Sequence, residues 1–149
     1  MKLRIYLDTS VFSAFYDNRV TERQTETGEF WRRLDQFEVS ASELTREELA
    51  QTQNSDLQQK FNKLLAQVTL FPVTLEMQAL AQDYLARGVF TPPMFNDALH
   101  VAAAVLSRQD ILLSWNFKHL VNRRRRAMIN ELNISKGLPT IEIVAPPEI

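Results

Sequence analysis

Short apolar runs alternate along this chain with longer stretches whose apolar residues have helical spacing, and this alternation constrains the fold more than any other feature. Strands are predicted at 3–7, 37–41, 68–73, 111–115 and 141–144. Helices are predicted at 11–16, 21–36, 45–51, 56–67, 76–86, 97–109 and 122–133. Such an alternation predicts a parallel sheet covered by helices on both faces. No repeat or long linker divides the chain, so we expect one α/β domain over residues 1–149.

Composition excludes several classes of protein. The net charge of −1 gives no global attraction to nucleic acid or to an anionic membrane, so any affinity for nucleic acid must come from a local basic patch. The chain has no cysteine, which excludes disulfides and thiolate metal sites. No apolar run approaches the roughly 20 residues of a membrane span or the roughly 7–15 of a secretory signal. We expect a soluble, cytoplasmic protein without a membrane partner.

Three acidic residues stand near element boundaries on separated segments. Asp8 follows the first predicted strand, and open α/β sheets bind ligands outside the carboxyl ends of their strands. Glu48 lies in the predicted helix that begins at Thr45. Asp97 lies in the first turn of an alanine-rich helix, where the helix dipole favours negative charge. If folding brings the three carboxylates together, their mutual repulsion calls for a metal cation.

Each of these acids also has a purely local explanation. Asp8 is suited to cap the helix that follows it. Thr45 and Glu48 match the capping box, in which the glutamate bonds back to the helix N-terminus. Asp97 suits a first helical turn, with Asn96 as the capping residue. Taken singly, the acids do not decide between a structural and a catalytic role.

Four segments around these acids stand in a characteristic order. They read IYLDTS (5–10), VSASELTREEL (39–49), NDALHVAAA (96–104) and ILLSWNF (111–117). Together they resemble the PIN-domain family of metal-dependent ribonucleases, in particular its VapC-like branch of bacterial toxins. The resemblance implies a Rossmann-like three-layer α/β/α fold with a central, mainly parallel sheet. It also implies that Asp8, Glu48 and Asp97 are the catalytic and metal-binding residues.

Position 116 departs from the pattern of that family. Many members carry a further aspartate after the fourth strand, where this chain has Asn116. An amide adds no negative charge, so we expect the three acids to bind one Mg²⁺ or Mn²⁺ rather than two. Thr9, Ser114 and Asn116 are candidates to support the acids or contact the substrate. For Ser114 and Asn116 the alternative is that they only form the strand-to-helix turn.

The resemblance implies a metal-dependent endoribonuclease that hydrolyses RNA phosphodiesters to 5′-phosphate and 3′-hydroxyl ends. A bound ion lowers the pKa of a water molecule and neutralises charge on the phosphate during in-line attack. His100 and His119 permit another chemistry, metal-free cleavage through the 2′-hydroxyl. Histidines in such settings are more often structural. Full activity in excess EDTA would exclude the metal mechanism.

One strong charge run follows the fourth predicted strand. Its members are Arg123, Arg124, Arg125 and Arg126. Next to an acidic crevice, the run is suited to attract RNA phosphates or an acidic partner. The alternative is an ordinary solvated helix face. The resemblance further implies a homodimer and a small antitoxin protein that lies across the early helices.

Three functional hypotheses follow. The first is a metal-dependent endoribonuclease that serves as the toxin of a type II toxin–antitoxin system. The second is a PIN-like domain that has lost catalysis and binds RNA or a protein. The third is a phosphatase with Asp8 as nucleophile, which the sequence disfavours because the haloacid-dehalogenase pattern requires a second aspartate where this chain has Ser10.

Overall fold

Five parallel strands form the centre of the computed structural model, which describes residues 1–149. The strands are β1 (Arg4–Leu7), β2 (Glu38–Ser42), β3 (Thr69–Phe71), β4 (Ile111–Leu113) and β5 (Glu142–Val144). Their order in the sheet is β3-β2-β1-β4-β5, and every neighbouring pair is parallel. All five strands therefore end at the same edge of the sheet, with β1 in the middle.

Seven α-helices connect the strands. They are α1 (Thr9–Tyr16), α2 (Thr21–Arg32), α3 (Glu43–Ala50), α4 (Ser55–Leu65), α5 (Leu75–Ala86), α6 (Phe95–Leu106) and α7 (Arg123–Ser135). Short 3₁₀ turns lie at Leu34–Gln36, Pro92–Met94 and Pro146–Glu148. None of the helices is both long and apolar enough to span a membrane.

Helices cover both faces of the sheet. Successive side chains of a strand point to opposite faces, so β1 contributes to both core clusters. Tyr6 belongs to the core cluster that includes residues of α5, α6 and α7. Its neighbours Ile5 and Leu7 belong to the second cluster, which includes residues of α1, α2 and α4. Eight residues of α6 are buried, as its alanine-rich sequence indicated. The predicted three-layer α/β/α fold is confirmed, and β3 and β5 are the edge strands of its sheet.

Helices α1, α3 and α6 each begin two residues earlier than the sequence pattern predicts. Helix α3 starts at Glu43 after the N-cap Ser42, so Thr45 is not a cap and no capping box joins it to Glu48. Helix α6 starts at Phe95, directly after the Pro92–Met94 turn, so Asn96 is not a cap either. As a result, the side chains of Glu48 and Asn96 are free to contact other elements.

Candidate active site

Asp8 lies at the carboxyl end of the central strand and is only 4% exposed. Its carboxylate accepts hydrogen bonds from the backbone N–H and the hydroxyl of Ser10, so the local explanation as the N-cap of α1 is realised. It also accepts a hydrogen bond of 2.5 Å from the hydroxyl of Ser114, which lies 106 residues further along the chain. Asp8 therefore joins β1 to the loop that follows β4.

Burial raises the pKa of the Asp8 carboxyl above its ordinary value, because the charged form loses its hydration. His100 and the hydrogen bonds from Ser10 and Ser114 oppose this shift without cancelling it. A positive charge next to Asp8 would compensate for the lost hydration. This is the electrostatic setting in which a bound cation stabilises a carboxylate.

Glu48, on α3, forms hydrogen bonds with residues of α1 and α6. The hydroxyl of Thr9 donates to Oε1 at 2.5 Å, and Nε2 of His100 bonds to the same oxygen at 2.7 Å. The side-chain amide of Asn96 lies 3.4 Å from Oε2. Burial raises the pKa of Glu48, but the hydrogen bond and electrostatic attraction of His100, with help from Thr9 and Asn96, outweigh it, so the pKa lies below its ordinary value.

His100 is held by a buried chain of hydroxyl groups that sequence reasoning missed. The Tyr6 hydroxyl lies 2.7 Å from Nδ1 of His100 and 2.8 Å from the Ser42 hydroxyl. When Tyr6 donates to Nδ1, the protonated Nε2 donates to Glu48. The available signal was the Tyr6 hydroxyl itself, because a tyrosine in a buried strand needs a hydrogen-bond partner. Both ring nitrogens of His100 are thus engaged within the protein.

Asp97 forms a second carboxylate–histidine pair nearer the surface. Its Oδ2 lies 2.8 Å from Nδ1 of His119, and both side chains are roughly a quarter exposed, at 22% and 28%. Its Oδ1 has no hydrogen-bond donor in the protein. On the sequence alone, the two histidines permit a metal-free cleavage of RNA. In the structure each histidine is paired with one of the predicted acids.

Two residues of the β4–α7 loop (residues 114–122) form hydrogen bonds with the predicted acids. Ser114 donates to Asp8, and the His119 side chain bonds to Asp97. Between these two residues, the backbone N–H of Asn116 donates to the Ser114 hydroxyl at 2.9 Å. The side-chain oxygen of Asn116 accepts from the backbone N–H of His119 at 2.9 Å. Asn116 therefore shapes the turn that follows β4.

The three acidic segments meet, but they do not form a ready-made metal site. No group of three acidic or histidine side chains lies close enough together to hold a metal ion. The donor chemistry nevertheless suits a hard cation, since Oδ1 of Asp97 lacks a donor and Oε2 of Glu48 has only the long Asn96 contact. Mg²⁺ commonly binds one or two carboxylates, and water and substrate phosphates supply its other ligands. The residues therefore fit a metal ion that the protein coordinates only in part.

The four arginines at the start of α7 divide into two pairs. Arg125 and Arg126 are partly buried and donate to backbone carbonyl oxygens. These oxygens belong to Val89, His119 and Ile143. Arg123 and Arg124 are exposed and make no such bonds. The exposed pair is the more accessible to phosphate or to a partner.

Comparison with known proteins agrees with this architecture. The PIN-domain family model matches residues 5–116. The fold is similar to that of VapBC2 from Rickettsia felis bound to a promoter DNA fragment, with a TM-score of 0.62, 11% identity, and coverage of 96% of this chain and 98% of that one. No curated protein matches the sequence significantly.

Two further solved structures are similar. VapC20 from Mycobacterium tuberculosis, described as a Sarcin-Ricin loop cleaving toxin, has a TM-score of 0.62, 16% identity, and coverage of 77% of this chain and 92% of that one. DNA-bound VapBC from Salmonella typhimurium has a TM-score of 0.57, 16% identity, and coverage of 97% and 98%. At such identities the likeness shows the fold alone.

Proposed function

The chain belongs to the PIN-domain family, and on this premise we propose that it is a metal-dependent endoribonuclease of the VapC-like branch. The observation that carries the proposal is the junction of the acidic segments. Thr9, next to Asp8, donates to Glu48, and Asn96, next to Asp97, contacts the same carboxylate. Hydrogen bonds to Glu48 thus bring together three segments that are distant in the chain and each carry one of the acids, at the carboxyl edge of the sheet.

Asp8, Glu48 and Asp97 would hold the Mg²⁺ or Mn²⁺ ion. When bound, the ion lowers the pKa of a water molecule and neutralises charge on the RNA phosphate. The protein's own groups orient the acids. Ser114 orients Asp8, while His100 and His119 orient Glu48 and Asp97. Hydrolysis by water would leave a 5′-phosphate and a 3′-hydroxyl, without a covalent enzyme intermediate.

The biological role that we propose is that of the toxin in a type II toxin–antitoxin pair, acting in the cytoplasm as a homodimer. The support is that the proteins of similar fold include VapBC complexes and a toxin. A small antitoxin would then be the protein partner. Co-expression with the product of a short adjacent reading frame tests this role, and rescue of growth is the expected result.

Catalysis is tested by two neighbouring acids of α3, with a labelled RNA as substrate. Glu48→Gln should reduce cleavage by at least about 100-fold, because it removes a charged ligand. Glu47→Gln, which changes an exposed acid of the same helix, should have no effect. Excess EDTA should abolish cleavage, and Mg²⁺ or Mn²⁺ should restore it. Equal activity of the two variants, or full activity in EDTA, would contradict the proposal.

A second candidate function is a PIN-like domain that binds RNA or a protein without cleaving. Two observations favour it: the lack of a three-ligand cluster, and Asn116 in place of an acid. RNA binding without cleavage in either metal would establish it. Metal-free catalysis by paired histidines has less support, because His100 is buried and has no ring nitrogen free for substrate.

A further inference from the structure

We propose that Phe117 and Arg23 form a stacking platform for an unpaired base of the RNA substrate at the rim of the acidic site. The inference rests on the proposed ribonuclease function, since it names one contact that the same site makes with its substrate. It assigns a role to two residues on which the proposed hydrolysis does not depend.

The position of Phe117 follows from the ties of the β4–α7 loop. Ser114 bonds to Asp8 and His119 bonds to Asp97, so the residues between them lie beside the acids. Phe117 and Lys118 are the exposed residues of this short segment, and Phe117 is 49% exposed. An RNA strand whose phosphate lies at the acids has its neighbouring nucleotides within reach of this segment.

The platform is held in place from beneath by Trp115. Nε1 of the Trp115 indole donates to the buried Thr27 hydroxyl at 2.8 Å, which fixes the indole against α2. The Phe117 ring packs edge-on to Trp115, with ring centroids 6.0 Å apart. The Arg23 guanidinium lies 5.0 Å from the centroid of the Trp115 ring and 5.8 Å from that of Phe117. Two planar groups thus already pack against the Trp115 indole in the absence of a ligand.

The chemistry of this surface favours a nucleobase over an apolar protein segment. Unpaired bases stack on aromatic rings and on guanidinium planes, and such stacking tolerates any base. Phe117 is the only aromatic residue among the large exposed hydrophobic side chains of the molecule. Its neighbours Arg23 and Lys118 are cationic, which suits a polyanion that must approach an otherwise acidic pocket. An isolated ring among cations offers little apolar area to a protein.

The test uses a single-stranded RNA that carries one 2-aminopurine, whose fluorescence falls on stacking, with the Asp8→Asn variant as the host protein that does not cleave. The label is moved along the RNA to find the position that is quenched on binding. Phe117→Leu, which keeps apolar bulk but removes the π face, should weaken binding about 10-fold and abolish the quench. Phe117→Tyr should retain both.

An abasic nucleotide at the quenched position separates base contact from phosphate contact. The host should lose the same factor of about 10 with this RNA, and Phe117→Leu should then cause no further loss. Ile134→Ala serves as the control, since it trims a 65% exposed side chain at the far end of α7. If Phe117→Leu does not fold, Arg23→Lys replaces it, because it keeps the charge and removes the planar guanidinium.

Each outcome decides the matter. RNA binding that Phe117→Leu leaves unchanged would overturn the platform and leave the ribonuclease proposal standing. If the host does not bind the RNA and the unmodified protein does not cleave it, both proposals fail. Loss of binding to a purified protein partner, with RNA binding unaffected, would identify the surface as a protein-docking site and overturn the inference.

Discussion

His100 connects a buried tyrosine of the core to a carboxylate of the candidate site. On one side its ring contacts the Tyr6 hydroxyl, and on the other it contacts the Glu48 carboxylate. Tyr6 in turn contacts Ser42, at the end of β2. Because these groups are buried, their hydrogen bonds have few competing partners, and the orientation of Glu48 depends on a hydroxyl that does not itself reach the surface.

Tyr6→Phe tests this dependence. The ring remains, but His100 loses its partner at Nδ1, so we expect kcat to fall about 10-fold with little change in KM, and Mn²⁺ affinity to fall as well. Tyr84→Phe is the matched control, since the buried Tyr84 hydroxyl bonds to Asn133 outside the site. Both variants should lose about 1–3 kcal/mol of stability. Equal loss of activity in the two would reduce Tyr6 to a purely structural role.

At the scale of elements, the sequence was sufficient for the order of strands and helices and insufficient for several of their ends. Apolar periodicity predicts the former, whereas the capping patterns at Thr45 and Asn96 led to helix starts that were two residues too late. The α2 prediction was too long, because the chain turns into a 3₁₀ segment after Arg32. A cap is a local pattern, and tertiary contacts override it.

The contacts of the candidate site lie beyond sequence reasoning for a related reason. The bond between Tyr6 and His100 joins residues 94 positions apart, and the bond between Asp8 and Ser114 joins residues 106 positions apart. The sequence places the acids near element boundaries, and nothing in their spacing indicates that Glu48 and Asp97 each face a histidine.

Helix α7 provides a prediction at the same scale. Arg125→Gln should lower stability by about 1–3 kcal/mol, because two backbone carbonyls lose a charged donor. Arg124→Gln should change stability by less than about 0.5 kcal/mol, since its side chain is exposed. If the exposed pair attracts phosphate, Arg124→Gln should instead weaken RNA binding and reduce its dependence on salt. Urea unfolding and binding across a range of NaCl concentrations measure the two effects. A loss of stability in Arg124→Gln but not in Arg125→Gln would refute the division of the arginines into a structural and an exposed pair.

For the whole molecule, the strand order explains why the acids meet where they do. The chain proceeds from β1 to β2 and β3 on one side, then crosses to β4 and β5 on the other. The carboxyl edge between β1 and β4 is therefore the topological switch point, where open parallel sheets bind ligands. The bond from Ser114 to Asp8 spans that point. Both core clusters pack on this one sheet, one on each of its faces.

A carboxylate buried at the switch point should cost the whole fold stability when no metal is bound. The raised pKa of Asp8 means that the native state binds its proton more tightly than the unfolded state does. Stability should therefore fall as pH rises from the unfolded pKa, near 4, through the raised native pKa. Glu48, whose pKa shift is opposite in sign, is present in both parent and variant, so the comparison of the two reports chiefly on Asp8.

Asp8→Asn keeps the shape of the side chain and removes the charge, so in EDTA at pH 7.5 its Tm should exceed that of the parent. The gain should shrink as the pH falls and vanish below about pH 4, where Asp8 is protonated in both states. Thermal unfolding across this pH range measures it. Asn133→Asp, which places a charge at another buried polar position, should show the opposite trend, losing stability as pH rises. A variant less stable than the parent at pH 7.5 would show that the hydrogen bonds of Ser10 and Ser114 compensate fully for the buried charge.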